Sequence, residues 1–167
     1  MDEEELDTAL RRHGLTKKLF GEVCSWDRLP RPSKFPAAYV VNLSKHNEFG
    51  THWVVVLFEG EFRGEYFDTF GRPIPDKLRG RLPGSQFLRS TKKLQAPTAT
   101  TCGQHCMTYI LFKPHGLSFK EILELFPDPA LNDKIVVELV REEFGKATKV
   151  RDFRFLKEWV SNYTTDG

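Results

Sequence analysis

The sequence predicts an α+β fold, with strands in the middle of the chain and helices towards its end. Three observations carry this. Short, Val-rich apolar segments lie between residues 38 and 67. Helix-period apolar patterns fill the part after residue 102. No regular strand–helix–strand alternation, which a doubly wound sheet requires, runs through the chain. With 167 residues, 40% of them hydrophobic, and fourteen Phe with three Trp as large anchors, the expectation is a single domain over residues 1–167. A chain of this size buries roughly 68–70% of its unfolded surface, enough for a core without staples.

The elements follow in order. Glu3 to His13 places Leu6, Leu10 and His13 on one face and predicts an opening helix. Pro30, Pro32 and Pro36 mark extended chain. Ala38 to Leu43 and His52 to Phe58 are strand patterns, and the second is apolar on both faces, as a central strand is. Glu59-Gly60 is read as a hairpin turn into a third strand, Glu61 to Phe67, which Gly71 and Pro73 terminate. Phe87 to Leu94 reads as one more strand, and Ala96-Pro97-Thr98 breaks the chain before a buried helix over Cys102 to Phe112. Ser118 and Glu121 form a capping box. Asn132 or Asp133 is expected to cap the helix bearing Ile135, Val136, Leu139 and Val140, and a last helix is expected near Asp152 to Val160.

The net charge of +2 is uninformative in total but not in distribution. Between Arg72 and Lys93 lie Arg72, Lys77, Arg79, Arg81, Arg89, Lys92 and Lys93 against the single acid Asp76. Clustered cations of this kind suit either phosphate contact with nucleic acid or a solvated face. Three cysteines, Cys24, Cys102 and Cys106, make no disulfide framework and fit an intracellular, reducing location. No apolar run reaches the roughly 18 residues of a membrane span, and the acidic start has no signal-peptide pattern. Zinc on Cys102, His105 and Cys106 would lack a full ligand set, so no metal is expected.

The chemistry-bearing residues begin with Cys102, the first residue of the predicted buried helix. Unpaired N–H groups and the helix dipole stabilise a thiolate there, and Gly103 behind it leaves room for a carbonyl. The bland alternative is a buried core cysteine. His52, at the start of the most apolar strand, has the pKa range of a general base. Asp68 ends the following strand, so an antiparallel hairpin returns it to His52, where it can fix the imidazole tautomer. Gln95, seven residues before Cys102, can supply an amide donor beside the Cys102 backbone N–H for an oxyanion. Each taken alone has a structural explanation. Together, in the chain order His, Asp, Gln, Cys, they spell a thiol hydrolase.

This ordered set, His52-Trp53, Asp68, Gln95 and Cys102-Gly103, resembles the signature of the adenovirus protease and SUMO-deconjugating protease clan. Ala38-Tyr-Val-Val-Asn-Leu, Gly50-Thr-His-Trp and the seven-residue Gln-to-Cys step resemble the adenovirus (adenain) branch, and Leu131-Asn-Asp-Lys-Ile-Val is similar to enzymes of Polinton/Maverick elements and related viruses. The likeness covers about residues 36–112. It implies a papain-like active-site layout, a central mixed sheet flanked by helices, and a nucleophile at the N-terminus of a buried helix. By position it makes Cys102 nucleophile, His52 base, Asp68 orienter and Gln95 oxyanion donor. It also implies a cysteine endopeptidase that cuts next to small residues, often Gly, in viral or transposon structural precursors, with host nucleus or virion as locations. No cofactor is expected, although adenoviral relatives use a peptide and DNA as activators, which gives the basic stretch 72–93 and the thiols of Cys24 and Cys106 a conceivable role. Two departures stand out: the acid is Asp where adenoviral enzymes have Glu, and the stretch from Asp68 to Cys102 is shorter. The alternatives are a ubiquitin-like-protein deconjugase, an acyltransferase with the same Cys-His pair, and a non-catalytic binding module.

Overall fold

Alternation with a period of two organises the middle of the chain. In β2, Ala37–Asn42, and β3, Trp53–Gly60, odd and even positions bury into different cores. Ala38, Val40, Val55 and Leu57 face one side of the sheet, and Ala37, Tyr39, Val41, Val54, Val56 and Phe58 the other. The computed structural model describes residues 1–47, 52–84 and 86–145, with Glu158 and Ser161.

Five strands form one sheet in the order β1-β2-β3-β4-β5, where β1 is Phe20–Ser25, β4 Arg63–Phe67 and β5 Gln86–Arg89. The outer pairs, β1 with β2 and β4 with β5, are parallel, and the inner two pairs are antiparallel, so the sheet is mixed. Helices α1 (Glu3–Arg12), α3 (Cys102–Phe112), α4 (Phe119–Glu124) and α5 (Pro129–Phe144) supply the larger core on one face. The short α2, Asp76–Arg79, contributes Leu78 to the other, beside Leu29, Ile74 and Leu82. The α+β class and the mixed central sheet are as the sequence predicts.

Helix α1 is set by a capping box: the Asp2 carboxylate accepts from the Glu5 N–H at 2.8 Å while the Glu5 carboxylate accepts from the Asp2 N–H at 2.9 Å. Leu6 and Leu10, one turn apart, bury fully. Nine of the eleven residues of α3 are buried, which makes it the central helix. The Ser118–Glu121 capping box of α4 forms as expected.

Several boundaries differ from expectation. Strand β1 was hidden because Gly21 and Glu22 break its alternation; Gly21 is required there, since a Cβ would lie 2.6 Å from the Tyr39 ring. The hairpin turn falls at Glu61–Phe62 rather than Glu59-Gly60, because Gly60 stays in the ladder opposite Arg63. Strand β5 stops at Arg89; from Ser90 the chain folds back until the Leu94 N–H reaches the Thr69 carbonyl at 2.7 Å. Helix α5 begins earlier than expected. Asp128 is its N-cap, accepting from the Ala130 N–H at 3.0 Å, and Pro129 occupies the first turn, where its missing N–H costs nothing. Asn132 and Asp133 are thereby released for other contacts. The expected helix Asp152 to Val160 lies outside the described residues apart from Glu158.

Gly64 in β4 tests the tightness of this sheet. A Cβ there would sit 1.9 Å from the Leu57 carbonyl oxygen and 2.7 Å from the Phe87 ring. Gly64→Ala is therefore expected to lower unfolding free energy by about 1–3 kcal/mol, read as a shift in the urea midpoint; an unchanged midpoint would contradict this packing.

Candidate active site

The antiparallel β3–β4 pair ends with Val55 opposite Phe67, so the residues just beyond its open end, His52 and Asp68, are brought together. The His52 Nε2 lies 2.8 Å from the Asp68 Oδ1, with both side chains buried. Asp68 is held on every side. Its Oδ1 also accepts from the Phe70 N–H at 2.9 Å, and its Oδ2 from the Arg72 Nε–H at 3.2 Å. Ser90 fixes the Asp68 backbone in both directions, its hydroxyl donating to the carbonyl at 2.9 Å and accepting from the N–H at 3.1 Å. Phe70 stacks on the imidazole with centroids 4.9 Å apart, and the Arg72 guanidinium covers the other face of this arrangement at 5.0 Å from the Phe70 ring.

The helix layer delivers the thiol. Cys102 is the first residue of α3 and lines the same cavity as the His52 ring. With Nε2 committed to Asp68, Nδ1 is the ring nitrogen left to serve the thiol. Burial pushes the Cys102 thiol up, but the hydrogen bond to His52, the backbone N–H groups of Trp53 and Gly103, and the imidazole's charge together leave it below the ordinary thiol value. Burial pulls His52 down, and its bonds to Asp68 and Cys102, with their negative charge, carry it above its usual value. Asp68 is raised by burial yet ends below the carboxylate range because His52, the Phe70 N–H and Arg72 all favour its charged form. The three shifts agree in direction with a thiolate–imidazolium pair backed by a carboxylate.

Gln95 is buried with its amide fixed at both ends. Its Oε1 accepts from the Thr69 hydroxyl at 2.6 Å, and its Nε2 donates to the Ala99 carbonyl at 2.7 Å. An amide nitrogen carries two hydrogens, so one remains for a second acceptor. A cavity of about 400 Å³ joins these groups, lined by His52, Trp53, Phe70, Gln95, Cys102 and Gly103 with Met1 and the 97–100 loop at its rim. The Trp53 indole donates to the Met1 carbonyl at 3.3 Å. At Gly103 any side chain would press on Met1, its Cβ falling 3.1 Å from the Met1 Cβ. A thiol, an imidazole and an amide thus border one space, with the Asp68 carboxylate behind the imidazole, and groups of these kinds are the ones acyl transfer uses.

The other sequence-predicted features fare differently. Burial pushes Cys24 up to about 12 and Cys106 well above the thiol range, so neither has the low-pKa environment of a reactive thiol. Of the basic stretch, Arg72, Arg81 and Lys92 are held by Asp68, the Leu29 carbonyl and the Leu123 carbonyl, and Lys77 by the Leu43 carbonyl. Arg79, Arg89 and Lys93 are exposed. Among the described residues no three His, Cys, Asp or Glu side chains are grouped to hold a metal, and no helix is long and apolar enough to cross a membrane. Thr69, Phe70, Arg72 and Ser90 were missed by sequence reasoning; the first three lie in or directly after the Asp68-Thr-Phe-Gly turn, whereas Ser90, 22 residues from Asp68, carried no signal.

The fold aligns with that of the ASFV pS273R protease at a TM-score of 0.56, covering 89% of this chain and 68% of that one at 16% identity. It also aligns with the central domain of the uncharacterized Lpg1148 protein of Legionella pneumophila, at a TM-score of 0.48 over 87% of this chain and 97% of that one, with 14% identity. No family model matches the sequence, and no curated protein does. At such identity the likeness to the ASFV enzyme concerns architecture: the chain has a papain-like α+β fold.

The charge arrangement has a direct readout. Because Cys102 lies below and His52 above their ordinary values, a larger share of Cys102 is thiolate at a given pH than in an isolated thiol. Iodoacetamide at pH 6 is expected to label Cys102 and leave Cys24 and Cys106 untouched, as read by peptide mass spectrometry. His52→Ala should slow labelling at that pH at least about tenfold, the effect of one pKa unit. Equal labelling of Cys24, or no labelling of Cys102 until the ordinary thiol range, would contradict the arrangement.

Proposed function

We propose that this chain is a cysteine endopeptidase in which Cys102 is the nucleophile, His52 the acid–base, Asp68 its orienting carboxylate and Gln95 an oxyanion donor. The observation that carries the reading is that the Cys102 thiol, the Gln95 amide and the His52 imidazole, held by Asp68 at 2.8 Å, all line one cavity. The fold shared with a viral cysteine protease supports it.

The steps follow from the groups present. The thiolate attacks the scissile carbonyl, and the carbonyl oxygen takes the negative charge. The Gln95 amide and the Cys102 backbone N–H stabilise it. The His52 Nδ1 proton passes to the leaving amine, which departs and leaves a thioester on Cys102. His52, now neutral, takes a proton from water as that water attacks the thioester, and the returning proton and collapsing intermediate release the acid and free thiol. Throughout, the Nε2–H stays donated to Asp68, which holds the ring and stabilises its charged form.

The substrate reading is a protein chain cut beside small residues, Gly above all, with viral or transposon structural precursors as its natural source, as enzymes of the adenain and Polinton/Maverick type imply. The restricted space between Trp53, Met1 and Gly103 is consistent with small side chains near the scissile bond. Arg72, Lys77, Arg79, Arg81, Arg89 and Lys93 are exposed and are the cations of the basic stretch available for a DNA contact.

Cleavage of a peptide library, mapped by mass spectrometry with and without DNA, tests this reading. Cys102→Ala is expected to abolish cleavage with the melting temperature unchanged, and Gln95→Ala to lower kcat about 10²–10³-fold. Cleavage that survives Cys102→Ala would end the proposal.

A further inference from the structure

Between β5 and α3 the chain runs as a loop, residues 94–101, that carries both Gln95 and the residue preceding Cys102. Two consecutive residues of α5 grip it. The Asn132 Nδ2, on a fully buried side chain, donates to the Leu94 carbonyl at 3.2 Å. The Asp133 Oδ2 accepts from the Ala96 N–H at 3.0 Å, and its Oδ1 accepts from the Thr101 hydroxyl at 2.6 Å and from the His105 Nε2 at 2.9 Å. One carboxylate therefore ties the start of the loop, its end, and the first turn of α3.

We infer that Asp133, with Asn132 beside it, is a positioning residue that sets the Gln95 amide at its working distance from the Cys102 backbone N–H; this rests on the peptidase reading above. The argument is geometric. Gln95 and Cys102 are seven residues apart on a loop whose own turn supplies one internal bond, Ala99 N–H to the Ala96 carbonyl at 3.1 Å. The Ala99 carbonyl that anchors the Gln95 amide belongs to this loop, so any shift of the loop shifts the amide. The Thr69 carbonyl holds the Leu94 and Gln95 N–H groups, but it lies upstream of the turn. On the far side Thr101 and His105 both meet Asp133. Thr101 occupies the N-cap position of α3 without a side-chain cap bond, and its hydroxyl donates to Asp133.

The His105 ring is deeply buried, and burial keeps it below its usual value against the pull of Asp133. It is therefore a neutral donor. The Asp133 charge is spread over three hydrogen bonds rather than cancelled by an imidazolium. Burial raises Asp133, but His105, Thr101 and the Ala96 N–H bring it below the carboxylate range, so it stays an acceptor at all three positions. An oxyanion donor displaced by even half an ångström loses much of its effect, and the ground-state thiolate, held by His52, Trp53 and Gly103, does not depend on it.

The test compares wild-type protein with Asp133→Asn, which puts an N–H₂ where one acceptor stood, and with Thr101→Val, which removes one donor at constant volume. Four readouts are taken: kcat and KM on the best library peptide, iodoacetamide labelling of Cys102 at pH 6, melting temperature, and hydrogen exchange at residues 94–101. Asp133→Asn is expected to lower kcat about 100-fold with KM, labelling and melting temperature little changed and exchange faster in the loop; Thr101→Val should act in the same sense but less. Unchanged kcat in Asp133→Asn overturns the inference. So does a kcat loss matched by slower labelling and a lower melting temperature, which would make the role merely structural. If wild-type protein cleaves nothing, the peptidase reading fails by itself, and loop exchange then decides alone: unaltered exchange in Asp133→Asn removes the clamp as well.

Discussion

The Asp68 carboxylate is the group on which the arrangement turns. Stripping an ionised carboxylate of water is among the most unfavourable steps in folding unless it is paired and fully bonded. Here the imidazole of His52, the Phe70 N–H and the Arg72 guanidinium all bond it, and Ser90 pins the backbone beneath it. Those partners come from the end of β3, the turn after β4 and the chain after β5. To satisfy one buried charge, the open end of the sheet must close in a single way. The position of His52 is a result of that closure, and the thiol of Cys102 is depressed because His52 is held where it is.

A second constraint acts from the opposite layer. Helix α3 is buried on nearly all sides, so its first residue is placed by the packing of Cys106, Met107, Ile110 and Leu111 in the large core rather than by the loop before it. The active-site cavity is then the seam between a sheet end and a helix start. The fold around it aligns with that of the ASFV protease despite 16% identity. Such conservation of form is intelligible if a few buried polar contacts and an alternating apolar pattern determine the architecture, while most surface positions are free to vary.

Much of this was legible in the chain. His52 and Asp68 could be paired because a hairpin joins them and the register follows from alternation. Cys102 could be placed because the break at Ala96-Pro97-Thr98 and the apolar pattern after it mark a helix start. What stayed hidden has physical reasons. Strand β1 lacks alternation because Gly21 accommodates the Tyr39 ring. Asn132 and Asp133 read as a helix cap because their residue types favour caps, whereas Asp128-Pro129 already did that work and left them to bind a loop more than thirty residues away in sequence. Ser90 and Thr69 likewise act across the fold, and periodicity in one strand carries no information about such contacts. The basic stretch reads as one patch in sequence; in the fold Arg72, Lys77, Arg81 and Lys92 also donate to acceptors within the chain, which no local pattern signals.

The division of the dyad between two layers has a thermal corollary. The sulfur rides on α3 and the imidazole on the margin of β3, and those two elements share one apolar core, in which Val55 and Leu57 join Cys106, Met107 and Ile110. Dispersion contacts of that kind loosen gradually on heating, while the approach of a thiol to an imidazole tolerates little widening. The spacing of the two groups is thus a strain gauge for the helix–sheet seam, and it should open while the sheet itself is still intact.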